Sequence, residues 1–190
     1  MRDQIRGQTM QLTEAIPRDA ECLFTLAEID AVLDQLAGQL NRDYADKAPL
    51  LLCVMNGAVI TMGQLLPKLD FALQIDYIHA SRYGDKTVGG ELVWQAQPQT
   101  NMASRHVLLI EDIFDEGHTL IALRQYCQQH GAVSVACLAL VDKKHSRKTG
   151  QPPEYIGLSV ADRYVFGFGM DVQGYWRNAP GIFAMAEISL

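Results

Sequence analysis

The chain has 190 residues, 48% of them hydrophobic and 20% charged, with 15 Gly and 7 Pro. That is the composition of one globular domain with its own core, and it excludes collagen-like, coiled-coil and disordered classes. Asp and Glu total 22 against 16 Lys and Arg, a formal net charge of −6, which argues against nucleic acid as a partner because a phosphate backbone needs a basic face.

The four cysteines, Cys22, Cys53, Cys127 and Cys137, show no CxxC spacing. Buried free thiols in a reducing compartment are expected, not a zinc site or a disulfide framework. Met1–Arg6 is not followed by a signal-type apolar stretch. The longest apolar runs, such as Leu50–Met55, are too short to cross a bilayer. A cytoplasmic setting with no membrane partner is expected.

The residues before Thr25 carry little pattern and read as a mobile arm. The first clear element is a helix over about Thr25–Asn41, where Leu26, Ile29, Leu33, Leu36 and Leu40 form one apolar stripe. Thr25 followed by Glu28 fits a capping box. Leu50–Val54 is a continuous apolar run, as in a strand buried on both faces. Asn56-Gly57 breaks it, Ala58–Leu66 reads as a helix ended by Pro67, and Phe71–Ile78 is a second strand. Strand, helix, strand builds a parallel sheet.

The unit recurs as strand His106–Ile110, helix Thr119–His130 with Gly131 at a left-handed C-cap, and strand Ala132–Val141. Between the two units lies the polar, glycine-bearing segment 81–102, which reads as a flexible flap with a hairpin at Val88-Gly89-Gly90-Glu91. Residues 151–190 read as short strands and turns forming a small hood over one end of the sheet. The expected fold class is α/β, an open parallel twisted sheet flanked by helices, in a single domain over 1–190. Ligands of such sheets bind beyond the carboxyl ends of the strands, so Asn56-Gly57, Glu111–Thr119 and Asp142-Lys143-Lys144 draw the attention.

The run Val107–Leu120 (VLLIEDIFDEGHTL) carries the chemistry. Its loop amides, a helix N-terminus and the Thr119 hydroxyl suit a phosphate. The acids Glu111 and Asp112 suit a hydrated Mg²⁺, which takes oxygen ligands. A solvated acidic turn is the bland alternative. The run resembles the diphosphate-sugar motif of the type I phosphoribosyltransferases: four apolar residues, two acids, two apolar residues, Asp, then a short Gly-Thr loop. Asp76–Gly84, Leu140–Lys143, Tyr155–Gly157, Asp162–Asp171 and Tyr175–Asn178 are similar to further segments of the 6-oxopurine branch.

The resemblance implies a purine-salvage enzyme. Such an enzyme joins 5-phosphoribosyl-1-diphosphate and a 6-oxopurine base (hypoxanthine, guanine or xanthine) with Mg²⁺, releasing diphosphate and the nucleotide product. By the same resemblance Asp115 is the acid beside purine N7 and the catalytic group. Glu111 and Asp112 face the ribose hydroxyls and Mg²⁺. Asp115, Glu116, Gly117, His118 and Thr119 form the 5′-phosphate loop. Asn56, Gly57, Arg82, Tyr83 and Arg177 meet diphosphate. Lys143, Tyr164, Val165 and Asp171 meet the base, with Asp171 also serving a second Mg²⁺. A homodimer or homotetramer is implied, with the loop around Asn56 near a subunit contact.

Lys143 is also argued from its chemistry. An ammonium has donors only, so it suits the O6 acceptor and opposes the 6-amino donor of adenine. An unpaired buried polar group costs about 1–3 kcal/mol. Two positions depart from the family's pattern. Asn56 stands where a Lys or Arg usually precedes the glycine. Glu116 stands where a small hydroxyl residue is common, so its carboxylate is expected to point outward with only its N–H in the site. The flap is expected to close and exclude water. A regulator of the same fold, binding the donor or nucleotide as a signal without catalysis, is the competing reading. The acidic balance and the presence of Asp115, Lys143 and Asp171 speak against it.

Overall fold

A computed structural model describes residues 16–17, 19–82 and 92–185. The elements in chain order are β1 Glu21–Thr25, α1 Leu26–Tyr44, β2 Leu50–Val54, α2 Val59–Leu65, a 3-10 turn Leu66–Lys68, β3 Gln74–Arg82, β4 Leu92–Ala96, β5 His106–Phe114, α3 His118–Gln129, β6 Ser134–Lys144, β7 Tyr155–Ala161, β8 Val165–Phe166 and β9 Gly181–Ala184.

The six-stranded sheet has the order β4-β3-β2-β5-β6-β7. β3, β2, β5, β6 and β7 run parallel, and β4 is antiparallel at the edge. Both faces are covered, as a parallel sheet requires. Leu51, Leu108, Leu138 and Leu140 pack on one face with Ile29, Leu33 and Leu36 of α1 and Met62 and Leu65 of α2. Leu50, Leu52, Val107 and Leu109 pack on the other with Leu120, Leu123 and Cys127 of α3. The chain leaves β2 in one direction, to β3, and leaves β5 in the other, to β6. The carboxyl ends of β2 and β5 therefore border the crevice where ligands of open α/β sheets bind.

α1 begins with the expected capping box: the Glu28 N–H donates to the Thr25 hydroxyl at 3.4 Å, and the Thr25 N–H donates to Glu28 Oε2 at 2.8 Å. Gly131 has φ +81°, and its N–H closes the end of α3 on Gln128 O. Pro67 lies in the 3-10 turn that ends α2.

Several boundaries differ from expectation. β5 runs four residues past Ile110 because its ladder with β6 continues through Glu111↔Ala139 and Phe114↔Asp142. Glu111 and Asp112 are thus on strand, not loop. β6 likewise extends to Lys144. β3 starts at Gln74 and runs to Arg82, where β4 returns beside it with Ser81↔Val93. Asp76 anchors that return by accepting the N–H groups of Gln99 at 2.8 Å and Thr100 at 2.7 Å. The expected hairpin at Val88-Gly89-Gly90-Glu91 falls outside the described residues, as do residues 1–15 of the expected arm.

The stretch after residue 151 divides. β7 joins the large sheet at its edge, while β8 and β9 form a second, three-stranded sheet of order β1-β9-β8. β1 was not foreseen: its five residues pair with a strand roughly 160 residues later, Glu21↔Ala184. Cys53, Cys127 and Cys137 are buried as expected, but Cys22 is exposed because it sits on this outer strand. No helix among the described residues is long and apolar enough to cross a membrane.

Leu109 is fully buried in the middle of β5, so Leu109→Ala is expected to cost ~2–5 kcal/mol. Thr25→Ala, at the exposed cap, is expected to cost about 1 kcal/mol. Urea denaturation at constant m-value checks the ranking.

Candidate active site

A cavity of about 280 Å³ lies above the end of β5, lined by Glu111, Cys137, Pro153 and the run Ile113–Leu120. Its floor is built by one turn of backbone. β5 ends at Phe114, Gly117 takes φ +86°, and α3 starts at His118 with no side chain capping it. The free N–H groups of that first turn are suited to an anion. Only glycine fits at 117. A Cβ there would stand 2.4 Å from Thr149 O and 2.8 Å from the Phe114 ring, at a φ that L side chains avoid.

Glu111 and Asp112 stand at the head of this turn. Glu111 Oε2 is buried and has no hydrogen-bond partner. Burial pushes its carboxyl well above the usual range, and the neighbouring Asp112 charge adds to the rise. Asp112 is also pushed up, chiefly by burial; the Ile113 N–H and the Arg177 charge oppose the shift, and the Asp171 charge adds to it. Gly57, on the loop after β2, packs against this acid: a Cβ at 57 would lie 1.8 Å from Asp112 Oδ2. The preceding Met55–Asn56 peptide bond is cis, and Asn56 is exposed.

Asp115 is in the opposite electrostatic state. Burial pushes its carboxyl up, but hydrogen bonds from Lys143 and His145, together with the Lys143 charge, outweigh burial, and the net shift is downward. Lys143 Nζ donates to Oδ2 at 2.9 Å, and His145 Nε2 lies 2.6 Å from Oδ1. The residues after β6 continue this docking. Arg147 Nε lies 3.7 Å from Glu116, and Thr149 donates to Glu116 O from its N–H at 2.8 Å and its hydroxyl at 3.0 Å. The Glu116 carboxylate is half-exposed between Arg147 and His118, whose Nε2 is 3.6 Å away. Residues 143, 145, 147 and 149 therefore face the 115–118 turn. Lys144 and Lys148 pair with the buried Asp142.

The remaining sequence candidates lie in the small-sheet region. Asp171 pairs with Arg177 at 2.5 Å, and Arg177 donates to Gly169 O at 2.6 Å. Tyr164 is exposed, and its hydroxyl donates to Asp171 O at 3.2 Å. Val165 is buried in β8 opposite Ala184. Lys143, Tyr164, Val165, Asp171 and Arg177 are not on the cavity wall; Lys143 reaches the centre through Asp115. Tyr83 and the side chain of Arg82 lie outside the described residues. Sequence reasoning did not single out His145, Arg147 or Thr149. No local pattern marks them: they lie past the end of β6 at Lys144, and only the fold brings them back onto the 115–118 turn.

The family described as phosphoribosyl transferase domain matches residues 23–173. The chain belongs to the phosphoribosyltransferase family. Hypoxanthine-guanine phosphoribosyltransferase of Streptococcus thermophilus is 36% identical over 166 residues, 87% of this chain and 92% of that protein. Hypoxanthine-guanine-xanthine phosphoribosyltransferase of Tritrichomonas foetus is 36% identical, covering 87% of this chain and 91% of the relative. A solved hypoxanthine-guanine-xanthine phosphoribosyltransferase superposes with a TM-score of 0.80 at 34% identity, covering 88% of this chain and 97% of that one. A hypoxanthine phosphoribosyltransferase from Staphylococcus aureus gives 0.85 at 26% identity, covering 94% and 97%. The fold is the type I phosphoribosyltransferase fold, a mostly parallel sheet flanked by helices, as expected.

Gly117→Ala is expected to weaken binding of a ribose 5-phosphate group about tenfold or more, since the left-handed turn alone costs an L residue about 1–2 kcal/mol. Calorimetric titration with a nucleoside 5′-monophosphate measures it, with circular dichroism confirming the fold.

Proposed function

We propose that this protein is an enzyme of purine salvage. It transfers the 5-phosphoribosyl group of 5-phosphoribosyl-1-diphosphate to N9 of a 6-oxopurine. The N9–C1′ bond forms as the C1′–O bond to diphosphate breaks, and the proton leaving the base passes to Asp115. The observation that carries the reading is the Lys143–Asp115 pair, a donor 2.9 Å from an acceptor. Purine N7 and O6 lie on one edge. A 6-oxopurine protonated at N7 presents a donor and an acceptor side by side, the complement of this pair. Adenine presents its amino group to Lys143 instead.

Asp115 is free to accept a proton. It stays ionised at neutral pH because the Lys143 ammonium and the His145 N–H outweigh its burial. The uncapped first turn of α3 takes the 5′-phosphate, with the N–H groups of residues 116–119 and the Thr119 hydroxyl as donors. Glu116 and His118 contribute backbone there, the Glu116 carboxylate being engaged by Arg147. Arg177 supplies positive charge for diphosphate, and Tyr164 an aromatic face for the base. Asn56 and Gly57 offer backbone to diphosphate close to Asp112, and Arg82 and Tyr83 serve the same group; residues 92–102 are held in the sheet by β4 and by Asp76 and are not part of a flap.

A divalent cation fits the acid pair. Glu111 has an orphaned buried oxygen, and burial disfavours the ionised form of both carboxyls. Oxygen donors of this kind suit Mg²⁺. Among the described residues no group of three or more side chains forms a ready metal cage, which fits an ion whose other ligands are water and substrate. Glu111 and Asp112 would hold it, with Asp171 serving a second. When bound, Mg²⁺ neutralises charge on diphosphate.

We also propose one domain over 1–190, a cytoplasmic setting, and a homodimer or homotetramer. Exposed Ile75 and Tyr77 on one face of β3, with exposed Val59 of α2, support the assembly.

Diphosphate release is expected with hypoxanthine, guanine or xanthine at rates about a hundredfold or more above adenine. Asp115→Asn is expected to lower kcat by about 10²–10⁴. Equal rates with all four purines, or no release with any, would overturn the reading.

A further inference from the structure

We propose that His145 is a positioning residue for the transfer, holding Asp115 at Oδ1 so that Oδ2 stays beside Lys143 and meets the base. The inference rests on the phosphoribosyl-transfer reading above and deepens it.

The side chain of His145 is 3% exposed, whereas that of Asp115 is 42% exposed. A buried imidazole thus reaches out to a carboxylate at the mouth of the site, at 2.6 Å. The other ring nitrogen fixes the tautomer. His145 Nδ1 accepts the Arg147 N–H at 3.1 Å, so a neutral ring carries its hydrogen on Nε2 and donates it to Asp115. The Arg147 backbone is itself held, because its guanidinium grips Asp162 with two bonds of 2.8 and 2.9 Å.

An aspartate carboxylate turns easily about its last torsion. Lys143 alone, on a long flexible stem, sets one oxygen without setting the plane. His145, two residues on, takes the other oxygen, and the plane is then defined by two donors from one strand and its extension. A base must meet the N7 proton in line, and small misplacements of a catalytic group cost rate steeply. The bland alternative is that His145 only packs the turn after β6.

The charged neighbours are several. Asp115 and Lys143 stand on the site side. Asp142, Lys144 and Lys148 share with His145 a second hollow on the far side. Arg147 and Asp162 close the end. Any pH readout therefore needs the paired variants below.

The full chain carries His145→Leu and His145→Gln, compared with Asp115→Asn. In His145→Leu, kcat is expected to fall about tenfold or more while KM for 5-phosphoribosyl-1-diphosphate changes little, because His145 bonds the Asp115 side chain and none of the backbone amides of the turn. The acid limb of kcat/KM for the purine is expected to move to higher pH as Asp115 loses a donor. His145→Gln, which keeps an N–H near the Nε2 position, is expected to restore most of kcat and the limb. Nitrogen-15 NMR of the unaltered protein is expected to show His145 neutral with hydrogen on Nε2, a result independent of how the variants fold. An unchanged kcat and acid limb in His145→Leu, a loss that Gln does not relieve, or hydrogen on Nδ1 would overturn the proposal. If instead Asp115→Asn is as active as the unaltered protein, the transfer reading itself fails.

Discussion

The site depends on a one-residue register between two neighbouring parallel strands. Phe114 of β5 pairs with Asp142 of β6, so the next residues, Asp115 and Lys143, emerge side by side. Their 2.9 Å contact is a consequence of the ladder. Side chains alternate along a strand, so a slip of one residue would turn Lys143 to the opposite face. The register is fixed far below the site by apolar pairs such as Leu109↔Cys137 and Ile110↔Leu138, all buried. The hydrophobic core thereby aims two charged side chains.

The strap beyond the end of β6 sorts the charges around them. Odd positions from Lys143 onward dock on the 115–118 turn, and even positions Lys144 and Lys148 neutralise buried Asp142. Lys148 also lies 4.5 Å from the centre of the Phe114 ring, so the strap after β6 is held from both sides. The three acids around the end of β5 are then in different electrostatic states. Glu111 and Asp112 are buried with too little positive charge and are driven upward, whereas Asp115 has its own donors and is driven down. Environments that separate like groups in this way are how one site divides acid, base and cation-binding work.

Much of this was legible in the sequence, and the illegible parts share a cause. The strands β2, β5 and β6 announce themselves as continuous apolar runs, and Thr25 with Glu28 marks the start of α1. The pattern signal stops where side chains turn polar, while the backbone ladder does not. This is why β5 and β6 extend past Ile110 and Val141; His145 lies beyond β6, where no periodicity marks it. β1 is short, outward-facing and paired across almost the whole chain, so no local periodicity marks it. The acids and Gly117 were legible because a resemblance and turn chemistry both point to them. The opposed electrostatic states of Glu111 and Asp115 depend on neighbours that only the fold brings close.

By the proposal above, Lys143, placed by this register beside Asp115, reads the 6-position of a purine. Titration calorimetry with inosine 5′-monophosphate and adenosine 5′-monophosphate tests it without relying on turnover. The inosine nucleotide is predicted to bind at least tenfold more tightly, and Lys143→Met is predicted to erase the difference while leaving adenosine nucleotide binding in place. Equal affinities in the unaltered protein would contradict it.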